Sequence, residues 1–122
     1  MNKIIKIDSK TKTMEVLALK ANTAVDSSVQ STHMRELIGC NYFEHAVLGG
    51  NIDIWFDEEY QLHEEHEGYG FKLPNFEQPV LGNAIITAFD EEGNTMGLEN
   101  ANELARFMMT VIQFGQSKKK EE

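Results

Sequence analysis

Two β-rich runs, residues 3–7 and 13–19, flank Asp8-Ser9-Lys10-Thr11-Lys12. That intervening stretch has turn chemistry, so the pair predicts a hairpin. Residues 21–26 are polar and loop-like, and a helix is expected from Asp26 or Ser27, where Ser27 and Gln30 stand at capping-box spacing. Met34, Leu37 and Ile38 share one face of it, and Gly39 is placed to stop it in a left-handed cap. Tyr42–Leu48 and Ile52–Phe56 then read as two strands around a Gly49-Gly50-Asn51 turn. In the second, Ile52, Ile54 and Phe56 lie opposite Asp53 and Trp55, and Asp57-Glu58-Glu59 ends it.

From about 61 to 79 the pattern dissolves into a long loop holding a His/Glu cluster, Gly68, Gly70 and both prolines. Connections this long in a small domain often carry function. Ala84–Phe89 is continuously apolar apart from Thr87, as a central strand would be. Asp90-Glu91-Glu92-Gly93-Asn94 reads as a turn into a short strand, Thr95–Leu98. The clearest element comes last: Leu104, Phe107, Met108, Val111 and Ile112 form one helical face, with Asn100 as its cap. Asn102, Glu103, Arg106 and Gln113 form the wet face. The expected fold is α+β, roughly ββ-α-ββ-loop-ββ-α, with both helices packed on one face of a mainly antiparallel sheet. Residues 1–115 make one domain on this reading, and 116–122 a disordered charged tail.

A length of 122 residues fits a single domain, and 41% apolar residues argue against a disordered chain. No apolar run approaches the ~20 residues of a spanning helix, and Met1–Lys6 lacks the character of a signal peptide. Cys40 is the only cysteine, which excludes a disulfide framework and favours a reducing, cytoplasmic setting.

Charge changes the picture more. The formal charge is −9, and residues 36–103 carry one basic group, Lys72, against 15 acidic ones, a net of −14. Such a segment repels phosphate backbones, so direct nucleic-acid binding is not expected. It speeds encounter with a basic partner instead.

His63-Glu64-Glu65-His66-Glu67 is the sharpest local cluster, and His63 and His66 are weak candidates for a metal. Their three-residue step misses the four-residue zinc-protease pattern, and His33 or His45 could add a ligand only through the fold. Asp57-Glu58-Glu59 and Asp90-Glu91-Glu92 read as turn chemistry rather than acid–base pairs. Cys40 lacks basic neighbours and reads as a structural thiol. Trp55, Tyr60, Tyr69, Phe71 and Phe76 could either line a binding surface around the long loop or pin that loop to the sheet.

Arg35-Glu36-Leu37-Ile38-Gly39, Tyr42-Phe43-Glu44, Ile52-Asp53-Ile54-Trp55-Phe56-Asp57-Glu58-Glu59, Leu62, Leu73-Pro74-Asn75 and Gly82-Asn83-Ala84-Ile85-Ile86 occur in that order. In this order they resemble a family of short phage, prophage and plasmid proteins known as a domain of unknown function, over about residues 26 to 98. The loop at His63–Lys72 reads as an insertion relative to that family. The resemblance implies a mobile-element accessory gene and carries over no catalytic residue. It makes Glu44 and Asn75 the polar positions of interest, Asn75 as a side chain that pins the loop by bonding backbone groups.

No assembled nucleophile, base and orienter is legible, and no cofactor is expected. The leading expectation is a non-enzymatic binding protein, a phage-type factor that engages a host protein or sequesters a host ligand in host takeover or defence evasion. Its contact residues would be Glu44, Trp55, Tyr60, Tyr69, Phe71, Asn75 and Phe76. Two alternatives stand beside it: an acidic nucleic-acid mimic that inhibits a DNA- or RNA-binding host protein, and a metal-dependent hydrolase using His63 and His66. A homodimer through a sheet edge is a further expectation, and a membrane partner is not expected.

Overall fold

A strand apolar on both sides needs cover on both faces, and residues 84–89 have it. The computed structural model describes residues 3–19, 27–39, 42–57, 68–74, 76 and 79–116. In chain order the elements are β1 (Lys3–Asp8), β2 (Thr13–Ala18), α1 (Ser27–Ile38), β3 (Phe43–Gly49), β4 (Ile52–Asp57) and β5 (Tyr69–Lys72). They continue with β6 (Val80–Leu81), β7 (Ala84–Phe89), β8 (Thr95–Met96), α2 (Ala101–Val111) and β9 (Gln113–Gln116). The main sheet runs β2-β1-β7-β4-β3, with β8 also pairing β7, and a smaller sheet runs β6-β5-β9. Among the described residues every strand pairing is antiparallel.

Alternation along the strands sorts side chains onto two faces. Ile5, Ile7, Ile54, Ala84, Ile86 and Ala88 point one way and pack with Ala101 and Met108 of α2 and with Phe71, Leu73 and Val80 of the small-sheet region. Ile4, Trp55 and Ile85 point the other way and pack with Met34 and Ile38 of α1. The α+β class and the mainly antiparallel sheet are as the sequence predicts. The placement of the helices differs: they divide between the faces, because β1, β4 and β7 bury side chains of both parities.

Local chemistry explains the turns. The Asp8 carboxylate accepts the N–H groups of Lys10 and Thr11 at 3.0 and 3.1 Å, closing the first hairpin. The buried Ser9 hydroxyl donates to the Gly82 carbonyl, tying that turn to the entry of β7. Gly39, at φ +80°, ends α1 and bonds its N–H to the Arg35 carbonyl at 2.8 Å. The proposed Ser27–Gln30 capping pair lies outside the described side chains. The Asp90 carboxylate accepts the N–H groups of Glu92 and Asn94 at 3.0 and 2.8 Å, so this acidic run is a turn, as expected.

Four further expectations need correction. The predicted loop of about 61–79 contains β5, which becomes a strand only through its partners β6 and β9. Gln116, read as the first residue of the charged tail, is instead the last residue of β9 and pairs with Tyr69. The Asn100 side chain makes no capping bond to α2, although its carbonyl accepts the Leu104 N–H at 2.9 Å. Ile112 is extended and leaves the helix towards β9, so it does not extend the helical face.

Candidate functional site

Adjacent strands bring a polar group together beneath α1. Register pairs His45 with Trp55, Trp55 with Ile85, and Asp53 with Thr87, which places these side chains on the α1 face. Trp55 donates its indole Nε1–H to Thr87 Oγ1 at 2.8 Å, both residues being buried. The rings of Phe43 and His45 lie 5.3 and 4.7 Å from that of Trp55. His45 Nδ1 stands 3.9 Å from Asp53 Oδ2, with the imidazole largely exposed and the carboxylate buried. Burial pushes the Asp53 carboxyl above its ordinary range, and the nearby His45 opposes that rise. The Thr87 hydroxyl is fully buried and engaged by the indole, so it is not presented to a substrate. This cluster fastens β4 to β7 and seats His45 on Trp55. Among the described residues no group of three or more His, Cys, Asp or Glu side chains could hold a metal ion.

The opposite face carries a different feature. There α2 packs against β1 and β2, while β6 of the small sheet lies against β4. Between them the turn end of the β3–β4 hairpin is left facing α2 across an apolar groove of about 330 Å³. Leu48 and Ile52 of the hairpin, Leu73 and Pro74 after β5, and Leu104, Phe107 and Val111 of α2 line it. None of its lining residues is ionisable. Phe107 is 63% exposed, although its position in the stripe predicts a core residue. The stripe is wider than the surface beneath α2, so Met108 takes the buried position and Phe107 stands at the groove.

No family model matches this chain, and neither the curated proteins nor the solved structures include a match.

The contact residues expected from sequence do not gather on one surface. Trp55 is buried with α1, whereas Phe71 is buried in the α2-side core with its ring 6.3 Å from Phe114. The thickness of the sheet separates the two, which places both as packing residues. Phe76 is partly buried against Phe56 at 6.2 Å, and Tyr69 is half-buried in β5 with Lys10 Nζ 6.0 Å from its ring centroid. Glu44 is exposed on β3, and its pairing with Phe56 puts it on the groove side of the sheet. Tyr60, Asn75, His63, His66 and Cys40 lie outside the described residues. Leu48, Ile52 and Phe107 were hidden among ordinary apolar positions. The one available signal was the breadth of the 104–112 stripe.

Proposed function

We propose that this chain is a non-enzymatic binding protein that engages a second, basic protein through the groove between α2 and the β3–β4 hairpin. The observation that carries the reading is an apolar groove of about 330 Å³ with a largely exposed phenylalanine, Phe107, at its wall. Concave apolar surfaces of roughly 300–1,000 Å³ are the usual shape of binding sites, and aromatic side chains are enriched among residues that dominate interface energy. The charge of −9 favours a basic partner by long-range attraction. The resemblance to phage, prophage and plasmid proteins supports the wider reading, an accessory factor that acts on a host protein during takeover or defence evasion.

The test is affinity capture from bacterial lysate with the tagged full chain and with Phe107→Asp. The exposed position lets the variant fold, which circular dichroism checks. A partner recovered in stoichiometric amount by the wild type and lost by the variant is expected. Equal recovery by both proteins, or by neither, removes the groove as the binding site. A small molecule retained by the wild type alone would change the partner class to a sequestered ligand.

A further inference from the structure

The groove reaches the edge of the main sheet. Leu48 and Gly49 line it, and both belong to β3, the last strand of the order β2-β1-β7-β4-β3. Among the described residues β3 pairs with β4 only. Its pairing is regular from Phe43 to Val47, and the bulge falls beyond that stretch, between Val47 and Gly49. Alternate residues along an antiparallel strand turn their N–H and C=O groups away from the existing neighbour. Along Phe43–Val47 those outward groups form a template for another strand.

Edges of native sheets are commonly guarded by charged side chains, lysine above all, by proline, by a bulge or by a covering element. β3 carries no lysine and no proline, its one carboxylate is the exposed Glu44, and its bulge sits at its end. Val47 is 58% exposed, and Tyr42, just before the strand, is exposed too. The other edge differs. α2 packs against β2, the exposed positions of β2 are Thr13, Glu15 and Ala18, and Lys10 and Lys12 lie in the turn before it.

We propose that β3 accepts an extended segment of a second protein as an added strand, with a basic side chain beside Glu44 and an apolar one beside Leu48 at the groove. This rests on the binding reading above and specifies the partner and its mode. A strand added to β3 would lie about 4.8 Å from it, with its side chains in two rows. One row stands beside Glu44, Ala46 and Leu48 on the groove side, the other beside Phe43, His45 and Val47. Glu44 is exposed, and no lysine or arginine occurs from residue 36 to residue 71, so a basic side chain in the first row is attracted to Glu44 without a competing cation from β3 or β4. A second copy of this chain would bring a charge of −9 against another −9. Charge therefore selects a basic segment over self-pairing.

The test uses the full chain and two fluorescent, threonine-flanked probe peptides, Lys-Val-Thr-Val-Leu and its reversed sequence, which cover parallel and antiparallel addition. Binding is read by anisotropy. At least one probe should bind, and replacing its lysine by glutamate should weaken it. N-methylation of alternate peptide nitrogens provides the decisive arm. One parity should lower affinity at least ~tenfold by removing edge hydrogen bonds, and the other parity should leave it nearly unchanged. Glu44→Lys, at an exposed position, should weaken the lysine probe and strengthen the glutamate one.

Binding by neither probe overturns the proposal, as does equal sensitivity to both parities or indifference to Glu44→Lys. A concentration-dependent dimer in sedimentation that protects β3 amides from exchange would overturn it in favour of self-pairing. The two readings fail separately. If Phe107→Asp abolishes lysate capture while the N-methyl parities behave alike, the groove binds without strand addition. If the parities differ while capture is indifferent to Phe107, the edge acts without the groove.

Discussion

Trp55 and Thr87 are joined across β4 and β7 by a buried hydrogen bond of 2.8 Å, the indole donating to the hydroxyl. Trp55 is the only tryptophan, so its fluorescence reports directly on the place where the two halves of the main sheet meet.

Thr87→Val keeps the shape of the side chain and removes the acceptor. The buried indole N–H then loses its partner, and the expected cost is about 1–3 kcal/mol. Urea denaturation followed by tryptophan emission measures it, with the denaturant slope unchanged. Trp55→Phe in the Thr87→Val background, followed by circular dichroism, should cost less than the sum of the single changes, because the unpaired donor is removed with the ring.

Met108 and Phe107 are neighbours on α2 with opposite surroundings. Met108 is 3% exposed, and Met108→Ala should destabilise the fold by about 2–5 kcal/mol. Phe107→Ser should stay within about 0.5 kcal/mol of the wild type, because the ring is largely in solvent. Equal losses in urea titrations would place Phe107 in the core and close the groove.

Gly70 stands where no side chain fits. A Cβ there would come 2.5 Å from the Val80 carbonyl oxygen and 2.8 Å from Leu81 Cδ2. Gly70→Ala should cost about 1–3 kcal/mol by forcing β5 and β6 apart. Hydrogen exchange should rise in Tyr69–Lys72 and Gln113–Gln116, while the pairing of β1 with β7 keeps its protection.

Two aspartates should give pH dependences of opposite sign. Burial raises the folded carboxyl of Asp53 above 3.8, against the pull of His45, so between 3.8 and the folded value the native state binds more proton than the unfolded chain. Stability from this group therefore falls as pH rises from 3.8 through the folded value. Asp53→Asn lacks that slope, and its melting temperature should gain on the wild type over the same window. The backbone N–H of Asn94, with further turn hydrogen bonds, holds Asp90 below 3.8. Its contribution is present above 3.8 and lost as pH falls through the folded value. Asp90→Ala should melt below the wild type at neutral pH, with the difference closing in acid.

Much of the frame was legible because local chemistry and burial agree there. Asp8 announces the first turn, Gly39 ends α1, and Asp90 closes a turn on its own carboxylate. The continuous run Ala84–Phe89 already required cover on both faces, which conflicts with two helices on one side; the structure resolves that conflict by splitting them. β5 and β9 were illegible for the opposite reason. Tyr69-Gly70-Phe71-Lys72 and Gln113-Phe114-Gly115-Gln116 are short, each holds a glycine, and they become strands by pairing with each other. The groove was equally hidden, since Leu48, Ile52 and Phe107 look like core residues until the position of α2 decides how far it reaches.

The place of β7 also has a consequence for how the molecule is made. The β1–β2 and β3–β4 hairpins are local in the chain, but in the sheet ladder they are joined through Ala84–Phe89, which pairs with β1 on one side and β4 on the other. Until that strand has left the ribosome, Ile5 and Ile54 lack the neighbour that covers them, and each hairpin alone is marginal in water. Assembly therefore waits on a late, non-local step, the kind that slows folding and leaves open edges exposed to chaperones and to aggregation.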